Sequence, residues 1–229
     1  AAQVILGVGQ ARDSEDAGNI DVTAEKTIDI TTSGANGLDT GAEAASTTYW
    51  VWAIGKTDGT TAGLLSTSDT APSMPAGYTL KRLVGGIYND ASSNIQEFEC
   101  IDHGGGTKEF IWRDELVAFS TFTIAQTTFT TQTVALGYTI AGSILLLVST
   151  TMRITSASIA KTVYVRETGS SIGGRLVQSA ETGANDSIAR NTVVFPVRLD
   201  SSRRFDWKHG EAGSPTSHVM RVYGYILEL

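Results

Sequence analysis

The stretch Thr48-Tyr49-Trp50-Val51-Trp52-Ala53-Ile54 decides the fold. Aromatic and β-branched residues dominate it, and these residue types favour a pleated strand over a helix. Side chains alternate across a strand, so Trp50, Trp52 and Ile54 share one face and Tyr49, Val51 and Ala53 the other. Both faces are apolar. Ile144-Leu145-Leu146-Leu147-Val148 and Met220-Arg221-Val222-Tyr223-Gly224-Tyr225-Ile226-Leu227 show the same two-sided pattern. In a two-layer sandwich a sheet that faces water outside has one wet face. A strand apolar on both faces therefore wants a second cover: a loop, another domain or another chain. The expectation taken here is a subunit interface, with Trp50, Trp52, Leu146 and Tyr225 as its candidate residues.

Outward from that stretch, short segments rich in Val, Ile, Thr, Tyr, Phe and Trp recur, separated by Gly, Asn, Asp, Ser or Pro. This spacing is the signature of a sandwich or barrel. Strands are expected at about 2–9, 19–32, 48–55, 61–66, 79–88, 95–101 and 107–112. A second series follows at about 119–124, 130–136, 143–150, 161–166, 175–179, 191–199, 204–209 and 217–228. Thr57-Asp58-Gly59-Thr60 and Asn89-Asp90-Ala91-Ser92-Ser93-Asn94 read as hairpin-like turns. Pro72 and Pro75 fix an extended surface loop. The best helical window, Arg175 to Arg190, is interrupted by Gly183 and Asn185 and reads as a loop with one helical turn. Thirty threonines against six lysines point the same way, because Lys fills helices and Thr fills strands. The charges Arg113-Asp114-Glu115 suggest a boundary. The expected architecture is all-β: two antiparallel β-sandwich domains, jelly-roll-like, over residues 1–115 and 116–229.

The 229 residues suffice for a sizeable core, and the longest apolar run is far shorter than a membrane-spanning helix requires. No basic segment followed by an apolar one opens the sequence as a secretory signal would. The net charge of −7 argues against nucleic acid, whose binding needs a cationic footprint. Cys100 is the one cysteine, so an intrachain disulfide and a cysteine-based metal site are excluded.

Several segments imitate catalytic or binding motifs. His103-Gly104-Gly105-Gly106 matches an esterase oxyanion loop, and Gly169-Ser170-Ser171-Ile172-Gly173 matches G-x-S-x-G. Asp200 or Asp206 and then His209 or His218 follow in the right order for Ser171 to act as nucleophile. The elbow, however, requires strand, turn and helix, and no amphipathic helix follows Gly173. Gly7-Val8-Gly9 lacks the third glycine of a dinucleotide loop and the helix behind it. Asp13, Glu15 and Asp16 cluster like a Ca²⁺ loop, but Ala17 stands where a ligand is needed, so they read as a solvated acidic loop. His103, His209 and His218 lack metal-ligand spacing and read as surface or turn residues. No cofactor and no catalytic residue is expected. Trp112 and Trp207 fall near strand ends. Phe205-Asp206-Trp207-Lys208-His209 mixes a ring platform with polar groups, as a glycan site would, so Trp207, His209 and Trp112 are the candidate glycan residues; an ordinary core tryptophan is the competing reading.

Gly37-Leu38-Asp39-Thr40-Gly41, the strand Thr48–Ile54, Thr67-Ser68-Asp69-Thr70-Ala71-Pro72 and Pro75-Ala76-Gly77-Tyr78-Thr79-Leu80-Lys81-Arg82 together resemble a module of bacteriophage and prophage tail-fibre or head-fibre proteins. Val84-Gly85-Gly86-Ile87-Tyr88 continues the likeness. The resemblance covers 37–100 well and the later β segments loosely. It implies a non-enzymatic structural virion protein at the particle surface. Such proteins are elongated and usually homotrimeric. The partners expected for this chain are other virion proteins, with attachment to a bacterial surface glycan or decoration of the capsid or tail as its role; the short apolar runs lead to no expectation of membrane insertion. It carries over no functional residue. The alternative is a carbohydrate-binding module of a secreted, extracellular or cell-wall protein.

Overall fold

The computed structural model describes residues 2–119, 127–134, 144–154, 161–180, 187–189, 194–210 and 215–228. These residues are all-β: strands and turns, with no helix among them. Two compact units divide the chain, one running to Glu97 and the other from Phe98 to Glu228.

The first unit contains β1 (Gln3–Leu6), β2 (Gly9–Arg12), β3 (Asn19–Val22), β4 (Lys26–Asp29), β5 (Gly37–Leu38), β6 (Thr47–Gly55), β7 (Thr61–Ser66) and β8 (Leu80–Asn89). Its main sheet has the order β5-β7-β6-β8. Only β5 and β7 run parallel there. β1 with β4 and β2 with β3 form two antiparallel ribbons. The long strand expected over 19–32 is thus two strands, β3 and β4, broken at Thr23–Glu25. Turn chemistry holds as read: Gly59 has a φ of 88°, and the Lys56 amide donates to the Thr60 carbonyl at 2.9 Å to close β6 onto β7.

β6 is buried on both faces by its own chain. Ala53 packs with Ile20, Val22 and Leu80, and Leu6 and Val84 join them. On the other face Trp52 and Ile54 pack with Ala62 and Leu64, covered by Trp50, Met74, Tyr78 and Leu83. Met74 and Tyr78 belong to the Pro72–Pro75 loop and its continuation. The second cover of β6 is therefore a loop.

The second unit contains β9 (Phe98–Gly104), β10 (Thr107–Phe119), β11 (Thr130–Thr133), β12 (Ile144–Ile154), β13 (Lys161–Glu167), β14 (Arg175–Ala180), β15 (Ser187–Ala189), β16 (Val194–Arg198), β17 (Arg204–His209) and β18 (Pro215–Glu228). One sheet runs β15-β12-β18-β10-β9, with β16 also pairing β12; the other runs β11-β17-β13-β14. Buried alternation marks the inner faces: Val163 and Val165 on β13, Phe195 and Val197 on β16, Phe205, Trp207 and His209 on β17. Residues 175–180 of the one helical candidate are strand; Gly183 and Asn185, which interrupt it, lie outside the described residues.

The charged segment expected to separate two domains lies inside β10. Pairing with β18 jumps from Ile111↔Gly224 to Leu116↔Val222, so Arg113-Asp114-Glu115 sits in a wide bulge. A bulge accepts charges without ending the strand, and the division falls earlier, between Glu97 and Phe98.

Candidate functional site

The candidate glycan residues are core residues. Trp207 is 4% exposed, Trp112 5% and His209 0%. The Trp207 ring meets the His209 ring edge-on, with centroids 5.2 Å apart. Alternation along β17 turns both inward, together with Phe205. Trp112 belongs to an aromatic cluster on β9, β10 and β18: its ring lies 5.7 Å from Tyr225, and Phe110 stacks on Tyr225 at 4.8 Å. Phe98 completes the group against Phe110 and Trp112. A sugar can stack only on a ring face it can reach, so Trp207 and Trp112 offer no platform.

The candidate interface residues are placed similarly. Trp52 is 2% exposed and Tyr225 1%. Trp50 is half-buried under the same loop as Trp52. Leu146 lies on β12, and its side chain is outside the described residues. Burial pushes the Tyr225 phenol well above the usual tyrosine range, and nearby Cys100 adds to the shift. For Trp52 and Tyr225 the neighbours that cover apolar surface belong to this chain.

The hydrolase-like pieces form turns of antiparallel hairpins. Gly105 and Gly106 join β9 to β10 with φ of 60° and 85°, the left-handed pair that a tight hairpin turn demands. The His103 imidazole lies outside, 2.9 Å from Glu109. Ser171 is exposed in the β13–β14 connection, whereas His209 is fully buried. Asp206 is held by Thr131 Oγ1 at 2.9 Å and by Arg166 Nε and the Gly169 amide at 3.3 Å. Asp200 closes the turn before β17, accepting from Arg204 Nε at 2.8 Å. His218 lies on β18, its side chain outside the described residues. Gly7-Val8-Gly9 leads into β2, a strand.

Asp13 departs from the solvated loop expected of it. It is 4% exposed. Its carboxylate accepts from the backbone amides of Lys81 at 2.7 Å, Glu15 at 3.0 Å and Ala17 at 3.2 Å. Burial alone would raise its pKa; the donors of Lys81, Ala17, Glu15 and Ser14 outweigh that and hold it below the usual carboxylate range. Asp13 thus ties the β2–β3 turn to the start of β8. No group of three or more His, Cys, Asp or Glu among the described residues is arranged to hold a metal ion.

The segment that carries the likeness to fibre proteins forms one hydrogen-bonded structure. Asp39 Oδ2 accepts from Ser66 Oγ at 2.7 Å and from the Ser73 amide at 2.9 Å. Ser68 Oγ accepts from the Ala71 amide at 2.9 Å, and Trp52 Nε1 donates to the Ser68 carbonyl at 3.1 Å. Lys56 lies 4.9 Å above the Tyr78 ring. A Cβ at Gly37 would run into Thr32, so that turn requires glycine. The polar residues of the motif fasten the loop over the Trp50–Ile54 face.

Two clusters escaped the reading of the sequence, both in the second unit. On the outer face of β13 and β17, Arg166 stacks on Phe129 at 3.7 Å, and Lys208 sits 4.9 Å from Phe129 and 5.5 Å from Tyr164. Beside it, between the β13–β14 turn and β16, opens a groove reached by Arg166, Arg175 and Arg198. The alternation of Lys161–Glu167 and Arg204–His209 was the available signal for the first; the groove joins segments more than twenty residues apart and left none.

No protein-family model matches the chain, and neither a curated protein nor a solved structure matches it.

Proposed function

We propose that this chain is a non-enzymatic structural protein of a bacteriophage virion, a tail fibre, spike or head fibre, that assembles as a homotrimer, contacts other virion proteins and contributes to attachment at the host surface. The observation that carries this reading is the fold of residues 37–100, where the fibre-like motifs lie. Their side chains and backbone, at Asp39, Ser66, Ser68, Trp52 and Gly37, are taken up by one loop-over-sheet structure. Such residues build a rigid β module, which is what an elongated virion appendage needs. The all-β second unit, Thr-rich and tied by long antiparallel pairs such as β12–β18, suits the same role.

Threefold assembly follows from the likeness to fibre proteins rather than from β6, whose faces are covered within the chain. Copies related by a closed rotation would repeat any weak contact with a surface glycan and multiply its strength. The alternative, a carbohydrate-binding module of a secreted or cell-wall protein, is favoured by the groove in the second unit. Location separates the two. Antibody raised against the chain, applied to phage particles released from the source culture, is expected to label appendages or the capsid surface under the electron microscope. Unlabelled particles, with all antigen in the particle-free medium or on cell walls, would point to the alternative.

A further inference from the structure

We infer that the groove between the β13–β14 turn and β16 is a binding site for a small organic anion: a carboxylate on a compact body with an apolar face. The inference stands apart from assembly and location. The cavity measures about 310 Å³, the lower end of the size range of small-molecule sites. Its floor is apolar, formed by Val165, Phe195 and Val197, which are buried.

Arg175 supplies the charge. It pairs across the strands with Val165, and directly opposed residues point to the same face of a sheet. Arg175 therefore lies on the Val165 side of the edge strand β14, with its side chain exposed at the rim of the groove. The other two arginines of the groove are already neutralised. Arg166 bonds Asp206, and Arg198 donates to Glu228 at 2.8 Å with Glu167 at 4.0 Å. Arg175 makes no ion pair among the described residues. A guanidinium presents a planar fork of donors that fits a carboxylate two-to-two.

Ile172 supplies the lip. It is 71% exposed, yet its turn is tied down: its amide donates to Ser170 Oγ at 3.2 Å and its carbonyl accepts from Arg166 Nη1 at 3.1 Å. Gly169 and Gly174 bracket the turn with φ of 75° and 87°. A Cβ at Gly174 would meet the Phe129 ring, which keeps the turn close to the cation–π cluster. An apolar side chain fixed at the mouth of a cleft with an apolar floor, and an exposed cation at its rim, fit a ligand that is charged at one end and apolar along one side. Acidic sugars and aryl carboxylates both have this form.

The full chain should be titrated by calorimetry or NMR with galacturonate, benzoate, galactose and inorganic phosphate. Galacturonate or benzoate is expected to bind, whichever does naming the source of the carboxylate. Galactose and phosphate are expected to bind at least tenfold more weakly, since each lacks half of the recognition. Arg175→Gln should weaken the carboxylate at least tenfold, the scale of one charge-assisted contact, with the melting temperature unchanged because the side chain is exposed. Ile172→Ser should weaken it by a smaller factor. The inference is overturned if no carboxylate binds, if phosphate or galactose binds equally well, or if Arg175→Gln leaves affinity intact.

Discussion

Asp13 shows how a single carboxylate can hold two distant pieces of a β fold together. Three backbone amides from two segments, one of them 68 residues away, converge on its oxygens. Removing the side chain strands those donors in a buried place, at a cost of about 2 kcal/mol. Asp13→Ala should therefore lower stability by that amount at pH 7, measured by urea unfolding. The folded carboxyl titrates below its unfolded value, so its stabilisation is complete above the ordinary aspartate pKa and is lost as pH falls through the lowered one. The gap between the two proteins should narrow as the pH falls below about 4. A gap of equal size at pH 7 and pH 3 contradicts this role. From the sequence, Asp13, Glu15 and Asp16 look alike; only the return of Lys81 to the β2–β3 turn distinguishes Asp13. His209 and Trp207 teach the same lesson, because the polar neighbours that suggested a surface site alternate onto the opposite face of β17.

Strands were legible where alternation and turn residues agreed. The two faces of Trp50–Ile54 separate as the period of two requires, and Gly59 closes its hairpin. The nature of the cover was not legible, because Met74 and Tyr78 reach the sheet from twenty residues away and loop packing has no periodicity. The β10 bulge misled in a related way: Arg113-Asp114-Glu115 reads as a break, yet pairing with β18 resumes at Leu116. β18 depends on one close approach. A Cβ at Gly224 would collide with the Phe110 carbonyl oxygen, which is backbone and cannot swing away, beside the stacked Phe110 and Tyr225 rings. Gly224→Ala should destabilise the protein by about 3 kcal/mol, whereas Gly41→Ala, with nothing near its Cβ, should cost only the strain of its positive φ, about 1 kcal/mol. Equal melting temperatures for the two variants would contradict the close apposition of β10 and β18 at Gly224.

For the whole molecule, composition and strand spacing suffice for the all-β class, while the division at Glu97 and Phe98 is a property of long-range contacts. Buried Trp52 and Tyr225 move the case for assembly away from two-faced strands. Ile5, 62% exposed, and Val8, 66% exposed, are apolar surface at β1 and just after it. An appendage subunit works only as part of an assembly, so its mass in solution bears directly on the reading proposed here. Light scattering on the purified chain at micromolar concentration should give three times 24.2 kDa, and Ile5→Ser with Val8→Ser should lower that mass. A single species of 24.2 kDa that persists on concentration would contradict the fibre reading.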